Sequence, residues 1–156
     1  MKQCGQCRLC CKLFALPFLN KPGHQWCQYS CPKGCAIYAN RPQLCKDYTC
    51  VWLAQEEIPE KYRPDKSRLV LTNKGSYQDR GVILAAEADE GAADTKLGKE
   101  LLKGLLSVGN IVVVSYNGRV RGVYGTNLAD GEGALVVREM EARYKDGAVA
   151  QPSGRT

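Results

Sequence analysis

Apolar positions concentrate in the second half of this 156-residue chain, and there they fall into the two periods of regular structure. Arg68 to Thr72 and Val82 to Glu87 alternate as strands do. Asp94 or Thr95 can cap a helix running to Ser107. Its Leu97, Leu101, Leu102, Leu105 and Leu106 share one face, with Lys96, Lys99 and Lys103 opposite. Ile111 to Tyr116, Asn117-Gly118 and Arg119 to Gly125 predict a hairpin with a type I′ turn, because both turn residues tolerate positive φ. A last helix is predicted over Ala134 to Lys145, followed by a flexible tail. The predicted order is β-β-α-β-β-α.

The first fifty residues lack such a pattern. Their one aliphatic run, Leu13 to Leu19, is broken by Pro17 and leads into a turn at Asn20-Lys21-Pro22-Gly23. Asn40 and Pro42 suit the start of a helix reaching Gln55, with Cys45, Tyr48 and Trp52 on one stripe. The expectation is an α+β protein. A cysteine-rich metal-binding lobe with short helices (residues 1–58) and a linker (59–67) precede a small α+β domain (68–146) and a tail (147–156). A segment as poor in aliphatics as the first fifty residues needs a metal or disulfides to hold a shape.

Such a staple is at hand. All nine cysteines lie within residues 1–50: Cys4, Cys7, Cys10, Cys11, Cys27, Cys31, Cys35, Cys45 and Cys50. They open with a CxxCxxCC string, and two thiolates at CxxC spacing can converge on one ion. Nine is an odd number for a disulfide framework. The sequence shows no secretory signal pattern and no apolar run of about 18–20 residues, so a cytoplasmic protein with reduced thiols and no membrane partner is expected. Nine thiols can furnish one or two sites with a spare. Four thiolates suit a closed zinc tetrahedron, and CxxCxxC with a distant fourth cysteine also suits an iron–sulfur cluster. Cys10 and Cys11 are adjacent, which points to two neighbouring sites or one spare thiol. His24, the only histidine, precedes Cys27 by three residues and reads as a surface loop residue.

Charge sharpens this reading. The formal charge of +6 resides wholly in residues 1–50, which carry seven Lys or Arg and one acid, Asp47. These cations can act as counter-charges to ionised thiols. They also admit an alternative, a zinc module presenting a basic surface to nucleic acid or a protein partner. Trp26, Tyr29, Tyr38, Tyr48 and Trp52 lie among the thiols and can wall a metal site from water. No GxGxxG, P-loop or nucleophile elbow is present, and no catalytic constellation is identified.

The spacing Cys4-x2-Cys7-x2-Cys10-Cys11, then Cys27, Cys31 and Cys35-Ala-Ile-Tyr38-x2-Arg41-Pro42-x2-Cys45-x4-Cys50-x-Trp52, resembles the CxxCxxCC cysteine-cluster (YkgJ-like) family. Arg63-Pro64-Asp65-Lys66-Ser67 is similar to the version with an appended α+β region. The resemblance implies zinc or iron chelation by the cysteines, with members often labelled iron–sulfur oxidoreductases. It also implies one cysteine beyond the family's core set, with Cys10 and Cys31 the candidates.

Overall fold

The computed structural model describes residues 1–145. Its elements are α1 (Leu9–Leu13), β1 (Ser30–Cys31), β2 (Gly34–Cys35), α2 (Gln43–Asp47), α3 (Val51–Ala54) and α4 (Pro64–Ser67). These are followed by β3 (Leu69–Tyr77), β4 (Arg80–Glu87), α5 (Lys96–Ser107), β5 (Ile111–Tyr116), β6 (Arg119–Tyr124) and α6 (Glu132–Lys145). The fold is α+β, and its second half runs β-β-α-β-β-α. The tail expected from residue 147 lies outside the described residues.

Four strands form one sheet in chain order, β3-β4-β5-β6. β4 and β5 are parallel, with α5 as the crossover, and the outer pairings are antiparallel. The strand period sorts the core to two faces. Val112 and Val114 of β5 join Ile83, Ala85, Leu69 and Leu71 under Leu101, Leu102 and Leu105 of α5. Ile111 and Val113 turn the other way and meet Val82, Tyr77, Val136 and Met140, the last two from α6. Thr95 caps α5 by accepting the Gly98 N–H at 3.0 Å.

Both hairpin turns have two residues at positive φ, as type I′ requires. Asn117 and Gly118 (46° and 76°) are as expected from sequence; Gln78 and Asp79 (46° and 62°) carry no glycine to announce them. β3 is longer than the expected strand because an irregularity between Asn73 and Ser76 absorbs Lys74 and Gly75. Asn73 Oδ1 accepts the Gly75 N–H there at 2.8 Å.

The cysteine-rich segment grips the start of β3 from both faces. Leu9 and Leu13 of α1 pack with Val70, Ala86 and Ala88 on one side. Val51 of α3 packs with Leu69 and Leu71 on the other. The stretch from residue 59 to 67 is ordered as a 3₁₀ turn (Glu60–Tyr62) and α4, with Tyr62 against the core. The single helix expected from Pro42 to Gln55 is corrected to two. Tyr48 and Cys50 adopt extended backbone between α2 and α3. Tyr48 is held there by its hydroxyl on Thr72 Oγ1 (3.0 Å) and an edge contact with Phe14 (5.0 Å). The proposed Asn40 cap is also corrected: Asn40 ends a 3₁₀ turn, and Pro42 occupies the cap of α2.

Candidate metal centre

Every thiol is free, and each is carried by a short element with its own anchor. Cys4 and Cys7 bracket a turn closed by the Cys7 N–H on the Cys4 carbonyl (2.9 Å), with Gly5 at φ 52°. Cys4 and Cys7 therefore precede α1 and do not share a helical stripe with Cys11. Cys10 and Cys11 ride on α1, whose Leu9 and Leu13 are buried in the core, so the two thiols leave from the remaining faces. The Cys27 N–H donates to the Cys11 carbonyl at 3.1 Å, tying the second cysteine group to α1. In the β1–β2 ribbon, Ser30 faces Cys35 and Cys31 faces Gly34. Neighbouring residues of a strand point to opposite faces, so Cys31 and Cys35 diverge. The break between α2 and α3 separates Cys45 from Cys50.

The charges that act on the thiols link them into two adjoining neighbourhoods, with Cys11 opposing ionisation of Cys4 and Cys10 across the boundary. Ionised Cys4 and Cys7 oppose ionisation of both Cys10 and Cys50. Burial raises Cys50 to about 11, and the Leu53 N–H on its sulfur partly offsets this. Burial also raises Cys7, against backbone N–H donors from Leu9 and from Asp65 of α4. In the second neighbourhood, burial raises Cys45, and it is further opposed by Cys11, Cys27 and Cys35. The two sets meet where Cys10 donates its S–H to Cys11, which lowers Cys11 to about 7 and keeps Cys10 protonated. The inner set is Cys4, Cys7, Cys10 and Cys50, next to the cluster of Leu9, Leu13 and Val70 that Cys50 itself packs against. The outer set is Cys11, Cys27, Cys35 and Cys45. Cys31 is turned to the opposite face of the β1–β2 ribbon from Cys35.

Cations gather near Cys11, and one of them, Arg41, also favours the thiolate of Cys4. Lys21, Arg8 and Arg41 all favour the thiolate of Cys11. Lys21 is buried, 7% exposed, and its ammonium donates to the carbonyls of Lys12 (3.0 Å), Pro22 (3.0 Å) and Phe14 at the end of α1. Arg41 lies over the Tyr38 ring at 3.9 Å, and its Nε is buried with no hydrogen-bond partner. Cys4 and Cys35 both act on its guanidinium. Lys2 locks the N-terminal end to the end of α3, donating to the carbonyls of Trp52 (3.0 Å), Gln55 (2.5 Å) and Ile58 (2.5 Å).

Among the described residues, no three or more His, Cys, Asp or Glu side chains are already drawn together closely enough to hold a metal ion. The thiols are neighbours, not a closed shell. His24 is engaged elsewhere: its Nε2 accepts the Asn117 N–H at 3.0 Å, and its ring meets Tyr116 edge-on at 5.0 Å. Of the aromatic residues, Trp52 is buried, whereas Trp26 and Tyr38 are 49% and 58% exposed. Sequence reasoning missed the roles of Lys21, Lys2 and the Asp65 N–H, since a lysine that binds carbonyls looks like any other lysine. A cleft of about 280 Å³ between α5 and β6, lined by Lys99, Leu102, Lys103, Leu106 and Tyr124, has no thiol in its walls. No helix is long and apolar enough to cross a membrane among the described residues.

Comparisons with protein-family models, with curated proteins and with solved structures find no match to this chain.

Proposed function

We propose that this protein chelates zinc or iron, the latter as iron–sulfur clusters, through two four-thiol centres, in a redox or metal-handling role. The inner centre would use Cys4, Cys7, Cys10 and Cys50, and the outer one Cys11, Cys27, Cys35 and Cys45. Cys31 would be the spare thiol. What supports this reading is that Cys4 and Cys7 act on both Cys10 and Cys50 while Cys11, Cys27 and Cys35 act on Cys45, with Cys11 also acting on Cys4 and Cys10 where the two groups adjoin. Four thiols per set fit the donor number and softness that zinc and iron–sulfur clusters take. The buried, unpartnered Arg41 Nε beside Cys4 and Cys35 fits a donor to a ligating sulfur.

The protein's own contribution is to hold the sulfurs near each other and make their ionised forms affordable. Lys21, Arg8 and Arg41 supply positive charge at the outer set. The Leu9, Asp65 and Leu53 N–H groups do the same at Cys7 and Cys50 of the inner set. Metal would stabilise the ionised thiols and close the remaining gaps, so binding and final ordering of the segment are one event.

Single serine replacements test the assignment. Cys45→Ser and Cys50→Ser should each lose about half of the metal, because each breaks one of two four-ligand sites. Cys31→Ser should keep all of it. Full metal content in both of the first two variants would defeat the assignment, as would loss of metal in the third.

A further inference from the structure

Two of the lobe's three exposed aromatic rings, Trp26 and Tyr38 but not Phe18, are each paired with a cation, beside cysteines of the outer thiol set. Trp26 is 49% exposed, with the Arg8 guanidinium 5.0 Å and the Lys12 ammonium 5.9 Å from its ring centre. Tyr38 is 58% exposed, with Arg41 at 3.9 Å. Arg8 also reaches Ser30 Oγ at 3.4 Å. Ser30 is the cross-strand partner of Cys35, whose charge acts on Arg41. The path Trp26–Arg8–Ser30–Cys35–Arg41–Tyr38 is therefore one continuous face across the β1–β2 ribbon. Lys33 and Lys46, both exposed, extend the positive charge of the first fifty residues, where Asp47 is the only acid.

We propose that this face docks an acidic protein surface over the outer thiol set. The proposal rests on the metal-centre reading, and it names the partner through which that centre would exchange electrons or ions. Trp, Tyr and Arg are the residues that anchor protein interfaces, and a ring of cations around them selects a carboxylate-rich partner and steers its approach. Nucleic acid fits less well. Single strands stack on free ring faces along a basic groove, whereas here the protein's own cations lie against the rings. Even with eight ionised thiols and two divalent ions, the segment keeps a net positive charge.

The test uses the full chain with its metal, a fluorescein-labelled twelve-residue glutamate peptide and a labelled twelve-nucleotide thymidine strand, compared by anisotropy. The peptide should bind more tightly than the oligonucleotide, and weaken as salt rises. The Trp26→Ala/Tyr38→Ala variant should bind the peptide about tenfold more weakly, as loss of interface anchors does, with metal content unchanged. Trp26→Phe/Tyr38→Phe should largely restore binding. Equal or tighter oligonucleotide binding would overturn the proposal, and so would peptide binding by the alanine variant at full strength. Loss of metal in that variant would place the rings in the centre itself and overturn the docking role. A wild-type chain without metal defeats the centre; a metal-loaded chain that ignores the peptide defeats only the docking face.

Discussion

The sheet domain and the cysteine-rich segment are built on opposite principles. In the sheet, Leu69, Ala85, Ile111, Val112 and Val113 are fully buried, and two helices cover the two faces. In the first 58 residues, the buried apolar side chains are Leu9, Leu13, Leu16, Cys27, Val51 and Trp52, and several of these rest on the sheet. Polar tethers do the rest: Lys2 and Lys21 each bind three carbonyls, and Cys27 hangs from the Cys11 carbonyl. One region is specified by apolar burial. The other is specified by where its thiols and cations meet, which is the design expected where a ligand completes the fold.

The sharpest way to break this comparison is to remove the metal proposed for the cysteine-rich segment. Chelation under reducing conditions should abolish amide protection in residues 1–55 while β3 to β6 keep theirs, as read by hydrogen exchange. Loss of protection in both regions at once would show a single cooperative unit. The next effect is the converse. Ile111→Ala removes a fully buried side chain from a cluster that contains no cysteine and should cost about 2–5 kcal/mol by denaturant unfolding. Metal per folded chain should not change.

Gly98→Ala is milder but more local. A Cβ there would meet the Ala92 carbonyl oxygen at 2.2 Å, so α5 must shift from the turn before it, at a cost of roughly 1–3 kcal/mol. A Tm equal to wild type would contradict the tight packing of that turn. The smallest effect concerns Asp89, which Arg68 holds below the usual carboxylate range through a 2.6 Å ion pair. A depressed folded value means the pair stabilises above the unfolded carboxylate pKa of about 3.9, and that gain disappears as pH falls through the still lower folded value. Being exposed, it is worth under about 1 kcal/mol, so Asp89→Asn should lower stability slightly at pH 7 and progressively less as the pH falls through the lowered folded value.

What was legible follows the same division. The order β-β-α-β-β-α, the Thr95 cap and the Asn117-Gly118 turn could be read because periodicity and turn chemistry are local. The Gln78-Asp79 turn could not, because neither residue advertises positive φ and the strand pairing imposes it. The helix expected from Pro42 to Gln55 failed because propensity and a possible stripe of Cys45, Tyr48 and Trp52 ignore the sheet. Tyr48 is pulled to Thr72, a partner 24 residues away, and the helix breaks there. The cysteines were legible as a cluster, but the division proposed for them was not. It depends on the divergence of Cys31 and Cys35 across the ribbon and on the break between Cys45 and Cys50, and both are tertiary facts.

The most direct test is anaerobic purification of the full chain, with zinc, iron and acid-labile sulfide measured on the sample that gives the visible spectrum. The account predicts two four-thiol centres: about two zinc per chain and no colour, or iron with sulfide and a brown protein. It also predicts a single thiol open to alkylation, Cys31. A metal-free chain with all nine cysteines alkylated at equal rates would contradict it.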